Sequence, residues 1–494
     1  MNNVADTILV FCVSIVLLFG SVVFAQPVLD SRFDLSPVNG FEVGSQLIIE
    51  DDTIYTLGGG NLLSGNWSFI LFKSTLGGDP VDTTYFDYPG LQFNTPGLTS
   101  KGDTIIVFGS VIEDTVGWDP CIILFDKSLD SIEYIKYDTT KHITILSGTW
   151  TNDGGFIMFG SIQDSAGGTS WPDLYLIRLD SDFNKLWDKK LVQSYYASPR
   201  SISNWGDGFL VSGHRYNAAV WEDTHELFAM QLDSNGDLLS SKTITESHGI
   251  QIGRSILDGE KIYLAGVASD TANTVHNVHF RKPRLITLDT SFNVLNETTF
   301  GDYGTQVYSW LPYGLLVDDQ RVYMYGFEYP QGFITAFTLE GDYLWKINYS
   351  DTIVASDQSI SHLIARNSNE FFGIGYKGDL LAGPDDRDHW LFRVDSLGCM
   401  VADCNNYANV YGLDNLDIKI YPNPTNDRVV IESGKAEILS GEIRLFDLSG
   451  HLIKHIQIEG AEKIEIILDK IQAGTYILHF EGPKQLFQAK LIVK

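Results

Sequence analysis

Positive charge is scarce in this chain: 34 Lys and Arg stand against 63 Asp and Glu, a formal net charge of −29. A field of that sign disfavours nucleic acid and anionic lipid as partners. Long apolar runs are equally scarce. Beyond Ile8 to Gly20 no stretch approaches 18 apolar residues, so the mature chain is expected to lack a membrane span. Only four cysteines occur, too few for a disulfide framework, and Cys121 lies in the apolar run 121–125, where a buried inert thiol is the default. The motifs of common catalytic sites are missing too. There is no Gly-x-Ser-x-Gly elbow and no phosphate-binding Gly-Lys-Ser/Thr loop. His225-Glu226-Leu227-Phe228-Ala229 lacks the second histidine of a zinc helix. Asp233-Ser234-Asn235-Gly236-Asp237 begins like a calcium loop, but Leu238 and Ile244 occupy the positions that need Gly and Glu, leaving a hairpin turn as the better reading.

Aromatic residues and glycine are abundant, 12% Phe, Trp and Tyr with 46 Gly, which favours strands and turns. A β-rich run ending in Gly recurs through the chain at Gly58, Gly109, Gly160, Gly213, Gly266, Gly326 and Gly375, with spacings of 51, 51, 53, 53, 60 and 49. Turn-rich clusters such as Lys101-Gly102-Asp103 precede most of these runs. In six of the seven repeats a second apolar run follows and ends in an acid, at Asp126, Asp180, Asp233, Asp289 and Asp395, with Glu340 as the variant in the sixth repeat. After another turn comes a closing strand, and one further strand ahead of the Gly run makes four per repeat. A period near 50 residues is that of propeller blades, and closing a ring of sheets removes exposed edges. The expected fold is therefore all-β, a seven-bladed β-propeller over residues 26–405.

At the N-terminus the 13 apolar residues 8–20, followed by Val23-Phe24-Ala25, predict a signal peptide over residues 1–25. The absence of Lys and Arg from residues 1–7 departs from the pattern and leaves an uncleaved anchor as the alternative. The other end alternates at period two in Asp417-Ile418-Lys419-Ile420 and Lys463-Ile464-Glu465-Ile466, as a small antiparallel sandwich does. Residues 406–415 are polar and unpatterned and are assigned to a linker. Residues 416–494 carry 10 Lys and Arg against 11 Asp and Glu, so the acidity belongs to the preceding domain.

That last segment contains Tyr421-Pro422-Asn423-Pro424, the loop glycine Gly450, Gly474-Thr475-Tyr476 and a final strand ending at Lys494. In this order the motifs resemble the type A sorting domain of the type IX (Por) secretion system of Bacteroidota, an Ig-like β-sandwich over 416–494. The resemblance implies the secretion machinery as a partner, and an address on the outer cell surface or in the medium, reached through the periplasm. It implies nothing about what the preceding domain does there. In such an oxidising compartment Cys399 and Cys404, with four residues between them, are expected to form a local disulfide.

In a propeller the loops joining the second strand to the third open on the face around the channel mouth, and here they are long. Trp67, Trp118, Trp171 and Trp221 lie in or beside them and would suit sugar stacking or a protein hot spot. Their spacings of 51, 53 and 50 keep the repeat period, which favours packing between blades. His214, His225, His276, His279, Asp385, Asp386 and Asp388 break the repeat and are the candidates for metal ligands or acid–base work, against a reading as solvated loop residues. Asp119, Asp173, Glu226 and Asp388 each stand seven residues before the acid that ends the third strand, a regularity that favours a structural role. No catalytic residue is assigned and no cofactor is expected, calcium being the one ion the acidic surface would attract. The leading expectation is a non-catalytic binding or adhesion scaffold for a glycan or protein; the alternative is an extracellular hydrolase or lyase with its site on the long-loop face.

Overall fold

The computed structural model describes residues 29–400 and 418–494, except 36–41, 62–66, 87–90, 114–116, 138–140, 164–171, 192–195, 217–224, 247–252, 270–280, 302–309, 329, 350–355, 380–386, 434–438, 448–451, 462, 470 and 483–484. The expected signal peptide and linker lie outside these residues. Every regular element among the described residues is a strand. Among the described residues, no helix is long and apolar enough to cross a membrane.

Residues 42–86, 91–136, 142–191, 196–246, 254–299 and 310–349 each form a four-stranded antiparallel sheet whose strands are in chain order. A seventh sheet takes three strands from residues 356–394 and its outermost strand, Asp30–Phe33, from the opposite end of the domain. Each first strand packs against the first strand of the next sheet, and that of the seventh packs against that of the first. The sheets thus close a cycle with the first strands innermost, a propeller-like arrangement.

Apolar side chains are buried between neighbouring sheets rather than at a common centre. Phe69, Phe86, Phe93 and Phe125 join the first sheet to the second, and Phe108, Phe156, Tyr175 and Ile177 join the second to the third. The last joint holds Leu29, Leu47, Ile54, Phe372, Ile374 and Leu391, between the seventh sheet and the first. Fully burying each such side chain contributes roughly 1.5–3 kcal/mol. Every sheet is therefore stabilised chiefly by its two neighbours.

The recurring glycine has a steric cause. In six sheets the pairing of first and second strands slips by a bulge at the level of that glycine, as between Ile145 and Ser147, Pro199 and Ser201, Pro312 and Gly314, and Ile360 and His362. The bulge tips an inner-strand carbonyl across the opposite residue. A Cβ on Gly160, Gly213, Gly326 or Gly375 would lie 2.1, 2.2, 2.1 or 1.7 Å from the carbonyl oxygen of Thr144, Ser198, Leu311 or Ser359. Glycine alone fits there.

The recurring aspartate is a turn former. Asp126, Asp180, Asp233, Asp289 and Asp395 each accept, through Oδ1, the backbone N–H groups two and four residues ahead at 2.8–3.0 Å. Those donors hold the Asp180 and Asp289 carboxyls below the usual range, with the Asn184 and Asn293 side chains as the largest cause. The sixth repeat corrects the expectation of Glu340. There the Thr338 hydroxyl faces the N–H groups of Glu340 and Asp342, both at 3.2 Å, because a short hydroxyl reproduces the aspartate geometry.

Two sheets built from residues 418–467 and 439–493 share one apolar core, which includes Val429, Ile443, Leu478, Phe480 and Leu491. The expected alternation is present: Lys463–Ile467 points Ile464 and Ile466 inward. Asn423 explains why the Tyr-Pro-Asn-Pro motif and the last strand belong together. Its amide donates to the Lys490 carbonyl at 2.7 Å and accepts from the Ile492 N–H at 2.9 Å. Lys494 N–H donates to the Thr425 carbonyl, and Tyr476, buried beside Gly474, donates its hydroxyl to the Gln472 carbonyl. Gly450 lies outside the described residues.

Candidate functional site

On the face where the second strands end, a cavity of about 220 Å³ opens between the third and fourth sheets. His142, Thr144 and Leu146 line it from one inner strand, and Tyr196, Ser198 and Pro199 from the next, with Ser161 and Gln163 behind them. The His142 Nδ1 is buried without a hydrogen-bond partner, and burial pulls this imidazole below its usual pKa. It is therefore neutral near pH 7.

Arg200 follows Pro199 at the bulge of its inner strand, and Arg254 follows Gly253 at the corresponding level of the next. Both glycine levels touch: a Cβ on Gly253 would lie 2.4 Å from the Gly213 carbonyl oxygen. Burial, then the Arg254 charge, pulls Arg200 down to about 10, and burial lowers Arg254 as well. Tyr313, at the bulge of the sixth sheet, is raised by burial and feels Asp357, Arg200 and Arg387. Groups from the fourth, fifth, sixth and seventh sheets thus converge inside the ring. Asp357 is already paired with Arg387, which lies 4.5 Å over the Tyr376 ring.

The residues predicted from sequence fall elsewhere. Trp67 and Trp118 open the third strands of the first and second sheets, Trp118 half-buried. Trp171, Trp221, His276, His279, Asp385 and Asp386 lie outside the described residues. His214 is corrected from loop to strand: Gly208–Tyr216 continues past it and buries it. His225 likewise begins a strand, His225–Leu232. The regular carboxylates form ion pairs, Asp173 with Lys190 at 2.8 Å, Glu226 with Arg215 at 2.5 Å and Asp388 with Arg32. Sequence reasoning missed His142, Arg200, Arg254 and Tyr313. Their one signal was position, on the unassigned strand before each Gly run.

Two further histidines sit at the joint between the seventh and first sheets. His389 Nε2 lies 2.9 Å from Thr56 Oγ1, and His362 Nδ1 accepts the Leu47 N–H at 3.3 Å. Burial draws His389 down to about 3; burial and then Arg254 draw His362 to about 4. An unfolded chain protonates both near pH 6.5, whereas the folded chain does not until about 4 or 3, so stability is lost as pH falls from 6.5 toward 4. Each histidine contributes on the order of 1.4 kcal/mol per pH unit. Urea unfolding at pH 7 and pH 5 should show this loss, and His389→Gln should reduce it; an unchanged midpoint between the two pH values would count against neutral histidines.

Residues 419–494 match the family described as the secretion system C-terminal sorting domain. A tail of this family implies secretion or export to the cell surface by the type IX machinery. No curated protein matches the chain. Among solved structures it is similar to polysaccharide lyase Uly1, at 10% identity and a TM-score of 0.46 over 72% of this chain and 90% of that one. It is also similar to a puromycin-hydrolyzing peptidase of Mycobacterium tuberculosis, at 13% identity and 0.43, covering 79% of this chain and only 58% of the peptidase. A GH43 β-xylosidase/α-arabinofuranosidase from a compost metagenome is similar at 10% identity and 0.33, over 54% and 98%.

Proposed function

We propose that the chain is a type IX cargo of a Bacteroidota cell, whose seven sheets form a seven-bladed β-propeller ahead of an Ig-like sorting domain. The propeller binds an extracellular glycan or protein on its long-loop face without performing chemistry. The polar cavity between the third and fourth sheets carries this reading, because it offers neutral hydrogen-bonding groups on a rigid scaffold at that face. Titrating residues 26–405 with polysaccharides and peptides, with and without calcium, should give saturable binding and no turnover. One observation favours the runner-up, an extracellular hydrolase or lyase: Tyr196 shares the cavity with His142, whose imidazole is neutral, as an acid–base pair would. Turnover abolished by His142→Ala would establish that alternative.

The tail supplies the route. Deleting residues 416–494 should leave a folded cargo in the periplasm, and its efficient appearance in the medium would refute this.

Cys399 is disulfide-bonded, whereas Cys121 is a free, buried thiol. We assign Cys404, which lies outside the described residues, as the partner. A loop this small constrains the unfolded chain little, roughly 2 kcal/mol. Alkylation and intact mass of the exported protein should reveal one reactive thiol after denaturation; three would refute the pairing.

A further inference from the structure

The bulge opposite the recurring glycine leaves Arg200 unpaired on the inner strand of the fourth sheet, and Arg254 opens the inner strand of the next. Arg200 and Arg254 make no ion pair among the described residues, and the Arg200 Nε is buried without a partner. Their placement is anomalous in a chain where acids outnumber bases 63 to 34. Asp357 is paired through Oδ2 with Arg387 and makes no ion pair with either arginine, while its Oδ1 is buried without a partner. Two half-buried guanidinium groups that repel each other cost stability, and the Arg200 Nε is held away from water with no partner. Retaining both is explained by a ligand that brings the missing negative charge. The guanidinium fork matches planar or tetrahedral oxyanions, and Tyr313, which feels the Arg200 charge, carries a hydroxyl that is also within reach of Ser359.

The adjoining cavity says what carries that charge. Thr144, Ser161, Gln163, Tyr196 and Ser198 offer hydroxyl and amide groups, which suit a hydroxyl-rich ligand. We propose that Arg200 and Arg254, with Tyr313, bind the carboxylate or sulfate of an extracellular glycan whose neutral part occupies the cavity beside Tyr196. This deepens the binding reading and rests on it.

The test uses the mature chain, residues 26–494, and its Arg200→Gln and Arg254→Gln variants. Calorimetric titrations with short oligogalacturonate, a sulfated galactan tetrasaccharide and neutral xylotetraose separate carboxylate from sulfate and charge from shape. Short probes are chosen because the overall charge of −29 repels long polyanions. One charged oligosaccharide should bind more tightly than the neutral one, and each variant should weaken it about 10- to 100-fold, as expected for losing a hydrogen bond to a charged group. Inorganic sulfate should raise the melting temperature of the wild type but not of the variants. Without ligand, both variants should melt at or above the wild type, since each relieves the repulsion between two half-buried charges; a purely structural arginine would instead lower it.

Charged probes that bind no better than xylotetraose, or variants that keep their affinity, would overturn the anion site while leaving the binding reading in place. Variants that melt lower, with no sulfate effect on the wild type, would overturn it too. An acidic peptide bound more tightly than every glycan would replace the ligand class.

Discussion

A chain beginning at residue 36 should fail to give a stable monomer, although it loses only one short strand of the seven-sheet domain. Asp30–Phe33 pairs with Arg387–Val394 and, among the described residues, is the one strand on that edge. Its removal exposes a row of unpaired backbone groups, a template for association. It also takes away Asp30, whose carboxylate accepts from Lys377 Nζ at 2.8 Å and from Trp390 Nε1 at 2.8 Å. The Lys377 side chain is only 9% exposed and would lose this partner, about 1.5–3 kcal/mol for a hydrogen bond to a charged group. Leu29 leaves the joint between the seventh and first sheets, a further loss of about 2–5 kcal/mol for a core leucine. Together these approach the whole stability of a typical domain, roughly 5–15 kcal/mol. Size-exclusion chromatography and thermal unfolding should show aggregate or a much lower midpoint. A monomer that melts like the parent would sink the idea that this strand closes the ring.

Gly375→Ala should be among the most damaging single substitutions in the molecule. The added methyl would stand 1.7 Å from the Ser359 carbonyl oxygen, and that atom belongs to a bulged inner strand packed against the first sheet. Neither backbone can retreat without breaking the joint, so a cost of about 3 kcal/mol or more is expected, at the upper end for overpacking. Gly102→Ala is the internal control. A Cβ there meets nothing within 4 Å, and the substitution is opposed only by the φ of +59°, about 1 kcal/mol. Chemical unfolding of the two variants should separate them clearly. Equal destabilisation would refute the steric account of the repeated glycine.

The repeat period was legible because each repeat solves the same local problem. A buried second strand needs β-branched and aromatic residues, a bulge needs a glycine opposite, and a tight turn needs an Asp or Thr whose oxygen reaches two backbone N–H groups. These requirements act within about twenty residues, so they leave a pattern along the chain. The sorting tail was legible for a related reason: Asn423 must meet the last strand, which ties Tyr421-Pro422-Asn423-Pro424 to a terminus ending at Lys494.

The site was not legible in the same way. His142, Arg200, Arg254 and Tyr313 come from four sheets, and although the last three stand 13, 12 and 13 residues before the recurring glycine, spacing alone does not say that their inner strands face one another. Sequence reasoning looked to loop residues such as His214, but polar character alone does not say where a side chain is buried. The outermost strand of the seventh sheet is a further example. Asp30-Ser31-Arg32-Phe33 is too short and polar to stand out, and it becomes a strand only because closure brings the Arg387–Val394 edge beside it. The amino-acid sequence by itself determined the repeats, the strands and the address, since each rests on contacts between near neighbours. Tertiary structure alone decided which ends join and which charges face one another, because both depend on the curvature of the closed ring.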